Sequence, residues 1–210
     1  MPFDTPLPAL DVAADFWSLR FVLETSETCA VRKHVPQPLA VSTDRGVMAT
    51  VHADGGMGYA ATSDTSPAGL QDALDTALAW ARATARLGLV DSRALPRPGA
   101  RGEYRSPSLD APRPSHRDIY AMLADESRAA AIDPRIVDWD AHVDVRTATH
   151  RLVTSAGADV VQRFRFLYAG TSATAHANGD TQRRTLSGDR AVCQQGADEV
   201  LERAGFVGSG

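Results

Sequence analysis

Lysine is almost absent from this chain of 210 residues: Lys33 is the only one among 22 basic residues, and the formal net charge is −4. The positive charge is therefore arginine, scattered along the chain without the basic stripe that phosphate neutralisation needs, so no nucleic-acid partner is expected. Cysteine is scarce too. Cys29 and Cys193 make neither a disulfide framework nor a Cys-x-x-Cys pair, which points to a reducing compartment. No stretch reaches the roughly 18 apolar residues of a membrane span, and MPFDTPLPAL offers acid and proline where a secretory leader has base and an apolar run. The chain reads as cytoplasmic, with no membrane partner. Aromatic residues are only 6%, but a hydrophobic share of 43% is that of an ordinary soluble protein, and a chain of this length needs no metal or disulfide staple to fold.

What is present is alternation and turn chemistry. Leu10, Ala13, Ala14, Trp17 and Phe21 recur at helical spacing and predict an opening helix over Asp11 to Arg20. Phe21 to Glu24, Cys29 to Val35 and Leu39 to Thr43 read as short strands, and Asp44-Arg45-Gly46 as a turn. Val47, Ala49 and Val51 then alternate with Met48, Thr50 and His52 up to Asp54-Gly55-Gly56, and a second strand runs from Gly58 to Thr62, giving a β-hairpin. Ser66 is placed to cap a helix whose first position is Pro67 and whose apolar stripe is Leu70, Ala73, Leu74, Ala77, Leu78 and Ala81, with Gly88 as its stop.

Residues 91–114 hold Pro96, Pro98, Pro107, Pro112 and Pro114 with Gly99 and Gly102, a composition unsuited to a helix or a central strand. They are read as a crossing segment between an N-terminal substructure, 1–90, and a second one, 115–210. Ser115 with Asp118 starts another helix carrying Ile119, Met122 and Leu123. A meander follows through Ile136 to Val145, His150 to Thr154, Val160 to Tyr168, Ser172 to Ala177 and Thr181 to Leu186, and Val200 and Leu201 suggest a last short helix. The fold class is α+β: two α/β substructures with mostly antiparallel or mixed sheets and a few helices packed on them.

No catalytic constellation emerges. The histidines at 34, 52, 116, 142, 150 and 176 include no pair one helical turn apart with a glutamate beside it, as hydrolytic zinc requires. Asp140, His142 and Asp144 share one face of a strand, the nearest approach to a metal set, but Ala141, Val143 and Val145 fill the other face and make it read as a solvated side of a core strand. Gly56-Met57-Gly58-Tyr59-Ala60-Ala61 fits the letter of a dinucleotide fingerprint without the strand-to-helix step that gives it meaning. Cys193 has no histidine near it in sequence, and Ser155 lacks the Gly-x-Ser-x-Gly elbow. Gly56 and Gly58 instead admit a close backbone approach, from the same sheet or from an extended ligand strand. With Tyr59 they are the candidate peptide-binding residues.

The order of these motifs resembles the N-terminal part of the TldD/PmbA family, often labelled modulators of DNA gyrase. The resemblance rests on Asp44-Arg45-Gly46-Val47 through Gly58-Tyr59-Ala60-Ala61-Thr62-Ser63-Asp64, the helix Leu70 to Leu87, Leu152-Val153-Thr154-Ser155-Ala156-Gly157, and Gln194-Gln195-Gly196 followed by Glu199. It implies a metallopeptidase subunit that pairs with a related chain or with itself and cuts unfolded or modified peptides. Zinc in such a subunit is held by a His-Glu-x-x-x-His helix and a later cysteine in the C-terminal half. The chain reaches Gly210 before that region, so no family catalytic residue transfers to it and no cofactor is expected here. The expectation is a non-catalytic portion that shapes an enclosure and makes subunit contacts. The alternative is a freestanding module that pairs with a peptidase subunit or a peptide through a sheet edge.

Overall fold

Period-two burial governs most of the chain, and strands outnumber helices accordingly. The computed structural model describes residues 6–87, 91–97, 99–186 and 194–195. In chain order they form β1 (Phe16–Arg32), β2 (Val35–Pro36), β3 (Ala40–Ala53), β4 (Gly56–Thr62), α1 (Pro67–Thr84), β5 (Arg101–Arg105), α2 (His116–Ala130), β6 (Ile136–Thr154), β7 (Asp159–Ala177), β8 (Asp180–Leu186) and β9 (Gln194–Gln195), with single 3₁₀ turns at Ser92–Ala94 and Pro107–Leu109. The strand order is β4-β3-β1-β6-β7-β5, with β2 on β1 and both β8 and β9 on β7. Strand β5 runs parallel to β7, whereas β3 with β4 and β7 with β8 are antiparallel. The fold is α+β, as the residue pattern predicts.

Two compact units divide the chain, each assembled from three segments. The first takes its described residues from 6–24, 44–105 and 148–163, the second from 25–43, 106–147 and from 164 onward. Each long strand β1, β3, β6 and β7 supplies residues to both, and the proline-rich stretch 91–114 is shared between them, with the change falling after Arg105.

In the first unit, Leu19 and Phe21 of β1 and Val47, Ala49 and Val51 of β3 bury against Leu70, Ala73, Leu74, Ala77 and Ala81 of α1. Full burial of Leu70 and Leu74 stabilises this layer by about 2 kcal/mol each. The cap is the expected one, Ser66 Oγ accepting from the Gly69 amide at 3.1 Å. In the second unit, Cys29, Val31, Ala141, Val143, Val145 and Leu167 bury against Ile119 and Leu123 of α2. Here Ser115 accepts from the Asp118 amide at 3.2 Å.

Several local readings change. The predicted helix over Asp11 to Arg20 is replaced by the start of β1: Leu19 and Phe21 face the core in strand alternation, and Trp17 is tied by its backbone carbonyl to the Ser155 amide at 2.9 Å. Helical spacing of apolar residues yielded to sheet pairing. Asp44-Arg45-Gly46 is no turn but the middle of β3, where a Cβ on Gly46 would lie 3.2 Å from the Thr62 carbonyl oxygen of the facing strand. The strand read as Cys29 to Val35 breaks at Lys33-His34, both at positive φ, making the two-residue turn into β2. His34 is held there by its amide donating to Ser127 Oγ at 3.1 Å and by edge contact with the Trp139 ring at 5.1 Å. The two strands read within 136–154, and the two within 160–177, are single strands β6 and β7. The crossing segment contains strand β5, at a sheet edge where flanking prolines cost no ladder bond. Gly88, Cys193 and the predicted helix near Val200 lie outside the described residues. No helix among the described residues is long and apolar enough to cross a membrane.

Candidate functional site

The hairpin β3–β4 turns through Asp54 and Gly55, both at positive φ, as a two-residue primed turn requires. Ala53 and Gly56 flank the turn and form its closing pair. Alternation from that pair assigns the amides and carbonyls of Gly58, Ala60 and Thr62 to β3, and turns those of Met57, Tyr59 and Ala61 to the outer edge. Among the described residues β4 pairs with β3 alone.

Gly56 and Gly58 serve the helix. A Cβ on Gly56 would fall 2.1 Å from the Ala81 carbonyl oxygen, and one on Gly58 2.2 Å from that of Ala77, so α1 lies directly on the bare backbone of β4. Thr84 Oγ1 secures the contact by donating to the Met57 carbonyl at 2.8 Å, and Ser92 Oγ donates to the Gly56 carbonyl at 2.7 Å. Both glycines are buried, while Tyr59 is 67% exposed and stands clear of the helix face. Of the three candidate peptide-binding residues, only Tyr59 has a side chain to offer, and its amide and carbonyl lie on the outward side. The sequence registered the close approach; the partner in it is α1.

Asp140, His142 and Asp144 do share a face of β6, but they bond to protein. Ser172 Oγ donates to Asp140 and Thr28 Oγ1 to Asp144. His142 Nδ1 lies 3.1 Å from Asp140 Oδ2, and Nε2 4.0 Å from Asp144 Oδ2. Among the described residues no group of three His, Cys, Asp or Glu side chains is arranged to hold a metal ion. Asp140, His142 and Asp144 are therefore not arranged to fit zinc.

Other reactive side chains are structurally occupied. Burial pushes the Cys29 thiol up, the opposite of what a nucleophile needs. Ser155 sits in the turn between β6 and β7, where its Oγ accepts from the Trp17 amide at 3.0 Å. One cluster escaped the sequence: Arg113 grips Glu27 through bonds of 3.0 and 2.6 Å, and His116 Nε2 lies 2.7 Å from the same carboxylate. The Arg113 guanidinium holds the Glu27 carboxyl down to about 2, against the opposing effect of burial, with His116 adding to the depression. This ion pair fastens the segment ahead of α2 to β1. No local pattern announces two partners 86 positions apart.

Comparison with known proteins gives this arrangement a context. Residues 17–81 match the family model described as PmbA/TldA metallopeptidase domain 1. No curated protein matches the chain. A solved structure from Bacteroides thetaiotaomicron, titled a modulator of DNA gyrase, is similar at 13% identity and a TM-score of 0.61, covering 91% of this chain and 45% of that one. One of like title from Thermotoga maritima gives 13% and 0.57, covering 90% and 42%. TldE from Thermococcus kodakarensis gives 16% and 0.54, covering 91% and 43%. At such identities the likeness is one of fold, and the chain spans less than half the length of each protein.

Proposed function

We propose, for a chain whose residues 17–81 match the family model described as PmbA/TldA metallopeptidase domain 1, the role of a non-catalytic N-terminal portion of a TldD/PmbA-like metallopeptidase subunit. In this reading the whole subunit acts on unfolded or modified peptides, and the residues described above supply walls of an enclosure and contacts to a related subunit. The observation that carries it is the pairing of that family match with a site chemistry lacking any metal set among the described residues. Zinc would supply the hydrolytic chemistry from a His-Glu-x-x-x-His helix in the C-terminal half. The test is to mix the chain with a separately expressed C-terminal half of a relative bearing that motif. Stable association and cleavage of an unfolded peptide only in the mixture is the expected result. Failure to associate, or cleavage unchanged by the chain, overturns the reading.

A second reading draws on the outward backbone of Tyr59 and Ala61 on β4: a freestanding module whose sheet edge takes an added strand, from a peptidase subunit or from a peptide, with Tyr59, rather than the helix-covered Gly56 and Gly58, as the residue that meets it.

A further inference from the structure

Leu7 to Asp15 precede the residues 17–81 that match the family model, and within the first unit they form neither helix nor strand. From Leu10 their burial alternates, with Leu10, Val12 and Ala14 half-buried and Asp11, Ala13 and Asp15 exposed, as in an extended chain laid on a surface. Leu7, Leu10, Val12 and Ala14 pack against the core cluster that includes α1, yet none of them is fully buried.

A side chain takes the place of a strand partner. Gln71 Oε1 accepts from the Asp11 amide at 3.2 Å and its Nε2 donates to the Asp11 carbonyl at 2.7 Å, the two bonds that a residue of a neighbouring strand would make. Nε2 also donates to Asp75 Oδ1 at 3.0 Å, so a carboxylate of the helix itself holds the carboxamide in this orientation. Gln71, Asp75, Leu78 and Arg82 follow one another at helical spacing along one stripe of α1. Leu78 packs on the same cluster as the segment, and Arg82 Nη2 reaches the Ala13 carbonyl at 3.5 Å. Both polar contacts to the segment meet main chain, so the stripe reads an extended backbone rather than a particular sequence.

We propose that the stripe from Gln71 to Arg82 is a seat for an extended peptide with apolar side chains at alternate positions, and that Leu7 to Ala14 occupy it in cis as a displaceable strap. Recognition through main-chain bonds suits an unfolded peptide of varied sequence. A partly buried strap without a strand ladder belongs to the part of a fold that opens most easily. Being tethered, it competes at an effective concentration of about millimolar order, which keeps the seat closed to dilute peptide until the strap is lifted. The seat holds the unfolded peptide of the proposed function and rests on that reading for its substrate class. Binding to this chain alone tests it, whereas association with a C-terminal half tests the other, so each can fail separately.

The experiment is fluorescence anisotropy of a labelled peptide copying Leu7 to Asp15. Wild type is expected to bind it weakly, and the double variant Leu10→Ser with Val12→Ser, which frees the strap without shortening the chain, to bind about tenfold more tightly or better. Gln71→Ala in that background is expected to abolish the gain. A peptide with Asp11→Ala is expected to bind as before, and one with Asp11→Pro, which has no amide for Gln71 to accept from, is expected not to bind. Amide hydrogen exchange of wild type gives a reading that needs no variant: excess peptide is expected to speed exchange at the Asp11 amide and to leave α1 unchanged. Should the double variant not fold, that measurement decides. A strap-freed chain that takes no peptide, binding indifferent to Gln71→Ala or to Asp11→Pro, an Asp11 amide unmoved by the peptide, or a dimer formed by exchange of straps between copies overturns the proposal.

Discussion

Glu27 and Arg113 meet through two parallel hydrogen bonds, 3.0 and 2.6 Å long, across 86 positions of sequence. Such a bidentate pair fixes direction as well as distance. With its carboxyl lowered from 4.5 to about 2, Glu27 favours the folded state wherever it is ionised. That contribution is complete above the unfolded value and fades as pH falls toward about 2. Allowing for partial solvent contact of both partners, it amounts to about 2 kcal/mol at neutral pH. Urea unfolding of Glu27→Gln against wild type is expected to show this gap at pH 7 and to lose most of it near about pH 2.5. A gap independent of pH would count against the pair as its source.

Gly58→Ala is expected to destabilise the first unit by about 2 kcal/mol or more, because the added methyl meets helix backbone and α1 must move off β4. Gly102→Ala, with nothing within 4 Å of its added Cβ, is expected to be neutral within about 0.5 kcal/mol. Thermal unfolding of the two variants, run side by side, separates helix packing from a general effect of glycine replacement.

Loss of the Ser66 cap should be felt locally. Ser66→Ala removes the side-chain acceptor of the Gly69 amide and is expected to cost about 1 kcal/mol. Ser66→Asp, which restores an acceptor, is expected to recover most of it. Denaturant midpoints provide the comparison.

Zinc titration of wild type and His142→Ala is expected to give the same metal content, since the imidazole lies between two carboxylates that already accept from Ser172 and Thr28. Stoichiometric zinc lost in the variant would revive the metal reading of the β6 row.

What the sequence disclosed was local. Ser66, Pro67 and the stripe to Ala81 contain their own start and packing face, and Asp54-Gly55 states its own turn, so α1 and the β3–β4 hairpin were legible. Long strands were not. Polar stretches such as Glu24 to Thr28, within β1, interrupt the apolar alternation and imitate strand ends. Asp44-Arg45-Gly46 carries turn-forming residues, yet its glycine answers the approach of the Thr62 carbonyl across the hairpin. At the candidate site the need for bare backbone at Gly56 and Gly58 was readable, but only tertiary structure identifies α1 as what fills the space. Glu27, Arg113 and His116 left no trace because their relationship exists only after folding.

The most direct test of the account is zinc analysis and peptide hydrolysis by the purified chain without any partner. The account predicts no stoichiometric zinc and no cleavage of an unfolded peptide. Zinc held one to one, with hydrolysis abolished by its removal, would contradict it.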